Sequence, residues 1–284
     1  MSRTDPRPRR STALVAAVVA VAAVVTAVIP GTSSGFVSRI TNGANTAATA
    51  PYFTCTAAAA ADKSTAVFQY ALRETSGSLF VTDSSGAGNT GIYRGTMRTN
   101  TTAPMACPRD TGSAYVLNGT SSYVSTNTRI TNPTVFSEEA WFKTTVAGGK
   151  IIGFGSSQTG SSTQNDRHVY VSTTGQIVFG AYNGATQVIT SPDTYTDGDW
   201  HHVAATMSPA TGMRLYLDGD LVASNVSYTA GENYAGYVRI GYDNTANWPG
   251  SGTQFFFSGS LRFAAFYTSV LTPAQVLNHY AAGQ

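Results

Sequence analysis

The chain has 284 residues, of which only 11% are charged, and a net charge of +2. That excess sits at the front. Setting Arg3, Arg7, Arg9, Arg10 and Asp5 aside from the 17 basic and 15 acidic residues leaves 13 and 14, a net of −1, so the rest carries no nucleic-acid footprint.

Few charges combined with abundant Gly, Ser, Thr, Asn, Tyr and Phe suit many short strands joined by polar turns, and the expectation is an all-β architecture. In chain order, the four arginines precede an uninterrupted apolar run from Ala13 to Ile29 that stops at Pro30-Gly31. Such a run is an export signal. A spanning helix needs roughly 17–25 residues, and by length the run reads as a membrane anchor with its arginines inside, residues 1–30 forming the anchor region. Val25-Thr26-Ala27 offers a cleavage site that would instead release the protein. On either reading the remainder is extracytoplasmic.

Residues 31–65 read as a stalk, with an Ala57–Ala61 run that has no amphipathic partner pattern. Cys55 and Cys107, the two cysteines, both lie beyond the export segment, where the compartment permits oxidation, and are expected to pair. Closing a loop of this length restricts the unfolded chain by about 4 kcal/mol in the loop-entropy account.

Hydrophobic alternation begins near Val67 and continues to the end, which places one domain at 66–284. Trp200-His201-His202-Val203-Ala204-Ala205-Thr206 reads as a strand, and Met213 to Leu217 alternates with period two. Asp218-Gly219 then predicts a tight hairpin, because a primed turn needs residues that tolerate positive φ. A second hairpin is predicted at Ser172 to Gly175, between Val169-Tyr170-Val171 and Gln176 to Phe179. The run Phe255 to Tyr267 gives a last strand. Thr272-Pro273-Ala274-Gln275 supplies a cap, a proline at the first helical position and a Gln three residues after the cap, so a short terminal helix closed by Gly283 is expected, packed across one edge of a sandwich.

The ordered blocks together resemble bacterial laminin-G-like jelly-roll domains. The blocks are Tyr70, Leu72, Glu74 and Gly77; Asp83 to Gly91; Leu117 to Val124; Phe136 to Lys143; Asp199 to Ala204; Leu215 to Gly219; and Phe257-Ser258-Gly259-Ser260-Leu261 through Leu271. The resemblance implies a concanavalin A-like sandwich of two antiparallel sheets used for carbohydrate or protein recognition outside the cell. Some members bind calcium near the Asp83 segment, where Asp83, Gly88 and Asn89 could offer oxygens; the alternative is that they only stabilise a Gly-rich turn. The family usually has an acidic pair in the closing strand, where this chain has Arg262 and Phe263. No cofactor is expected, structural Ca²⁺ being the one candidate.

Sandwiches of this kind include glycosidases, which need two carboxyls facing the sugar. Glu138 and Glu139 are adjacent and so face opposite ways on a strand, and Glu74 and Glu232 are remote. His201 and His202 cannot jointly grip an ion for the same reason. Asp193, Asp197 and Asp199 read as a solvated turn. Trp248, in the polar loop Asp243 to Gly252, can stack on a sugar or anchor a protein, with Asn247 and Asp243 beside it, or fold back onto Phe255-Phe256-Phe257. The function expected is an exported, non-catalytic recognition module for an extracellular glycan or protein. A structural envelope element and a glycoside-active enzyme are the alternatives.

Overall fold

Alternating apolar residues on long antiparallel strands build two sheets that share one core. The computed structural model describes residues 40–42, 45–47 and 51–284. The apolar run Ala13 to Ile29 lies outside the described residues, among which no helix is long and apolar enough to cross a membrane. A two-stranded antiparallel ribbon of β1 (Ile40–Asn42) and β2 (Asn45–Ala47) precedes a second compact unit, Ala50–Gln284.

That unit starts with α1 (Cys55–Ala61), a 3₁₀ turn (Lys63–Thr65) and β3 (Ala66–Tyr70). There follow β4 (Phe80–Val81), β5 (Gly91–Arg94), β6 (Arg98–Asn100), β7 (Ala114–Asn118), β8 (Tyr123–Thr126) and β9 (Ile130–Thr131). The long central strands are β10 (Phe136–Lys143), β11 (Lys150–Gly155), β12 (Asn165–Val171), β13 (Gln176–Tyr182), β14 (Thr186–Thr194) and β15 (Trp200–Ser208). The chain closes with β16 (Gly212–Leu217), β17 (Asp220–Asn225), β18 (Ala235–Ile240), β19 (Ser258–Tyr267) and α2 (Pro273–Ala282).

One sheet runs β17-β16-β15-β10-β19-β7-β6 with β3 also paired to β19; the other runs β14-β13-β12-β11-β18-β8-β5-β4 with β9 paired to β18. Between them lies a core that includes Phe68, Tyr115, Phe136, Phe142, Ile152, Phe154, Val169, Phe179, Val203, Leu215, Ile240 and Phe266. Burying each aliphatic or aromatic side chain of this kind is worth roughly 1.5–3 kcal/mol. The Asp218-Gly219 turn forms as expected: Leu217 pairs with Asp220, and the two turn residues have φ of 53° and 87°. So does the Ser172–Gly175 turn, with Val171 opposite Ile177.

Helix α2 has the expected start. The Thr272 side chain accepts from the Gln275 N–H while the Gln275 side chain bonds back to the cap, with Pro273 in the first turn. Its position differs from the expectation. It lies across the outer face of the first sheet rather than along an edge, because Val276 and Leu271 bury against Ala204, Tyr216, Ala265 and Tyr267 of strands β16, β15 and β19, with β10 between the last two.

The compact unit also starts earlier than residue 66. Thr54 caps α1 by accepting from the Ala57 N–H, and the Asp110 carboxylate accepts from the Cys55 N–H at 2.8 Å. Seven residues of this composition are marginal as a free helix. The Cys55–Cys107 disulfide, with Cα atoms 5.7 Å apart, and a bond from Gln69 Nε2 to the Ala59 carbonyl hold α1 to the sheet.

Candidate functional site

On β10, alternation sends Ser137, Glu139, Trp141 and Lys143 to the outer face of the first sheet and Glu138 into the core between Ala205 and Phe266. The two helices cover only part of that face. Under them, Glu139 takes a hydrogen bond from Tyr267 at 2.7 Å and lies 2.9 Å from His279 Nδ1 and 3.3 Å from His202 Nε2. His279 Nε2 reaches Asp62 at 3.0 Å. Burial alone would lift the Glu139 carboxyl, but His279 and His202 hold it well below the usual carboxylate range. Burial would lower His279, and Glu139 and Asp62 instead push it up to about 10. Trp141 stacks on Tyr280 at 5.8 Å, and its ring fills the place a Cβ on Gly283 would need.

Beyond Gly283 the cover ends. Trp200 on β15, Lys143 on β10, Ser260 on β19, Val116 on β7 and Arg98 on β6 are successive cross-strand partners, so all five side chains emerge on one face in a single row. The first four are half-buried and Arg98 is exposed. The row is flanked by the loop 101–113. Three depressions meet along it. The largest, about 510 Å³, is lined by Pro104, Met105, Trp141, Trp200 and Arg262 among others. A second of about 260 Å³ shares Pro104, Met105 and Trp200 with it and adds Asn100, Lys143 and Ser260. A third of about 250 Å³ continues past Lys143 and Ser260 to Thr144, Ser258 and Gly259.

Arg262 builds the wall of this groove. Its guanidinium donates to the carbonyls of Ala106, Cys107, Asp110 and Thr111, fixing the loop that carries Pro104 and Met105. Trp200 Nε1 donates to the Pro104 carbonyl at 3.1 Å, which pins the indole at the junction of two depressions. In the sequence Arg262 stands out only as occupying the place of an acid, and Trp200 has the pattern of an ordinary strand residue. The alternation Glu139, Trp141, Lys143 carried the signal, but where the helical cover stops is not written in it.

The residues singled out from the sequence fall elsewhere. Asp243 is buried, not presented on a loop: it accepts from the Ser162 N–H and hydroxyl at 2.9 and 2.8 Å and lies 3.9 Å from both Lys150 Nζ and Arg239 Nη1. Trp248 neither projects freely nor folds onto Phe255-Phe256-Phe257. It packs edge-on against His168 at 4.6 Å over Gly180 on the outer face of the second sheet, where a Cβ on Gly180 would meet the ring at 2.6 Å. Of that trio only Asn247 is exposed, at the positive-φ position of the turn (66°).

Asp83, Gly88 and Asn89 do lie together. Asp83 Oδ1 accepts from the N–H groups of Gln69 and Ser85, and Oδ2 from that of Asn89. The Asn89 amide bonds Val67 and Thr128, and its carbonyl accepts from Tyr70. N–H groups aimed at the carboxylate are a turn anchor, and this donor set does not fit a hard cation. His201 and His202 face opposite ways: His201 bridges Asp218 at 2.7 Å and Asp197 at 3.1 Å, while His202 lies under the helical cover. Asp193, Asp197 and Asp199 are exposed.

Two stacked antiparallel sheets with a curtailed helical cover define a lectin-like sandwich. The chain belongs to the concanavalin A-like lectin/glucanases superfamily, whose laminin G profile matches residues 118–277. Among solved structures it is similar to the binding domain of botulinum neurotoxin DC in complex with SialylT (TM-score 0.54, 13% identity, 78% of this chain and 52% of that one). It is similar also to the binding domain of Paraclostridial Mosquitocidal Protein 1 (0.56, 13%, 77% and 52%) and to a botulinum neurotoxin type C (0.57, 14%, 79% and 53%). The chain spans about half the length of these structures, and identities this low establish the fold alone. No curated protein sequence matches it.

Proposed function

We propose that the protein is an exported, non-catalytic surface module that binds carbohydrate in the groove around Trp200. The observation that carries this is the half-buried indole at the junction of two depressions, with Asn100, Lys143 and Ser260 beside it. A flat aromatic face with convergent hydroxyl, amide and ammonium groups suits a sugar ring, whose faces are apolar and whose rim is polar.

The placement of acids supports a non-catalytic reading. A glycosidase needs carboxyls about 5–5.5 Å or roughly 6.5–9.5 Å apart across a sugar. Glu138 and Glu139 lie on opposite faces of the sheet, and Asp110, the acid lining the largest depression, is engaged at the start of α1. Structural neighbours bind glycans: one was solved in complex with SialylT and another is described as interacting with two ganglioside molecules. A protein ligand is the second reading, favoured by a neighbour in complex with rat synaptotagmin II.

Glycan-array binding of the full chain tests the proposal. Trp200→Ala is expected to weaken binding by about 1–3 kcal/mol, in the range of a buried aromatic anchor, while Trp248→Ala on the other sheet leaves it nearly unchanged. Equal binding by the Trp200 variant and the parent would place the site elsewhere. A folded chain that binds no glycan would leave the protein-ligand and structural readings.

A further inference from the structure

The row beyond the helical cover has a charge pattern as well as a shape. Lys143 lines two of the three depressions, at the point where they meet. Arg98 ends the same row on the edge strand β6. Among the described residues neither side chain forms a salt bridge. The linings of the second and third depressions contain no carboxylate. The buried cations Lys150, Arg167 and His279, by contrast, each have an acid within 4 Å. Two unpaired cations therefore stand on an open face of a chain whose balance beyond the leader is −1.

From Trp200 to Arg98 the row crosses four interstrand spacings of about 4.8 Å, a span of about 19 Å. A single sugar ring cannot reach both ends. Resting on the carbohydrate reading above, we infer that the groove takes an anionic oligosaccharide lying across the strands, one ring stacked on Trp200 and its acidic substituents paired with Lys143 and, farther along, Arg98. Ser260 and Val116 form the floor between them, a hydroxyl and an apolar surface with no charge to repel the chain. The specificity is for charge at a spacing and not for one monosaccharide, because two cations separated by neutral residues read the distance between acids. Pairing on a half-exposed face is screened by salt, so binding depends on ionic strength.

The experiment uses the full chain and matched pairs of tetrasaccharides: an oligouronate beside its carboxyl-reduced counterpart, and a sulfated tetrasaccharide beside its desulfated one, each titrated calorimetrically at 50 and 500 mM NaCl. At least one acidic member should bind about tenfold or more tightly than its neutral partner, with the preference lost at high salt. Which pair shows the preference distinguishes carboxylate from sulfate. Lys143→Gln should remove most of the preference and Arg98→Gln part of it, each lowering affinity for the acidic member far more than for its neutral partner, whereas Trp200→Ala weakens both members of a pair alike. Equal affinity for acidic and neutral members would overturn the charge inference and leave the carbohydrate reading standing. No binding to any member would overturn both. A single-stranded oligonucleotide bound as tightly as the best acidic glycan would show that the row reads anionic polymers, and would overturn the glycan specificity.

Discussion

The outer face of the first sheet is divided into two halves built from the same strands, and they solve opposite problems. Under the helices, polar groups are paired from within: Glu139 has Tyr267, His279 and His202, and His279 has Asp62 as well. Past Gly283, Lys143 and Arg98 form no salt bridge among the described residues. The same β10 supplies Glu139 to one half and Lys143 to the other, four residues apart. Coverage, more than residue type, separates an internally paired network from an open polar row.

Breaking the covered half should have the largest effect. His279→Ala leaves the Glu139 carboxylate buried without its main counter-charge, a change expected to cost about 3–5 kcal/mol, read by urea unfolding. The pH dependence gives the sign independently. His279, pushed up to about 10, contributes stability fully below its ordinary value of 6.5, and that contribution is lost as the pH rises through the interval up to about 10. Glu139, held below its ordinary 4.5, contributes above that value and loses its contribution as acid protonates it. The contribution of this pair should therefore be highest between about pH 5 and 6.5 and decline on both sides, with the alkaline decline of stability flattened in His279→Gln. An unchanged alkaline limb in that variant would show that His279 is not the titrating group.

The wall between the halves is the next point to break. Reducing the Cys55–Cys107 bond, or replacing both residues by Ala, should cost about 2–4 kcal/mol and release α1 together with the loop that Arg262 holds. Because that loop carries Pro104 against Trp200, glycan affinity should fall along with stability. Loss of stability with full retention of binding would mean that Arg262 alone suffices to fix the groove wall. Both thiols found free in the native protein would remove the bond from the account.

Much of this was legible in advance, and the omissions have a common cause. Local rules located the Asp218-Gly219 turn, the capped terminal helix and the opposed Glu138 and Glu139, because each depends on residues adjacent in the chain. The disulfide joins the two cysteines of the chain, both of which lie beyond the apolar run. What escaped was burial supplied from afar. The Ala57–Ala61 run shows no amphipathic pattern because a disulfide and the Asp110 carboxylate hold it in place of a stripe of large apolar residues. Trp248 sits in a polar loop, and its partner is a vacancy left by Gly180 on another strand. Trp200 reads like any strand aromatic until the end of the helical cover is known.

The smallest expected effect concerns the Asp83 loop, and it sharpens the comparison by asking to which kind of surface that loop belongs. Asp83 bridges back to Tyr70 at the end of β3, the strand whose Gln69 also holds α1, so the loop adjoins the covered half. Its carboxylate oxygens accept three backbone N–H bonds, the internally satisfied pattern of Glu139 and not the open pattern of Lys143. Calcium would have to displace those donors and gather six to eight oxygens where Asp83 and Asn89 are already committed. Thermal melts in millimolar calcium and in chelator should therefore agree to within about 1 kcal/mol, the most a weak site could add by mass action. Asp83→Ala should cost about 1–3 kcal/mol from three unanswered N–H groups, equally in either buffer. A calcium-dependent rise in stability that disappears in Asp83→Ala would place the loop with the recognition surfaces instead.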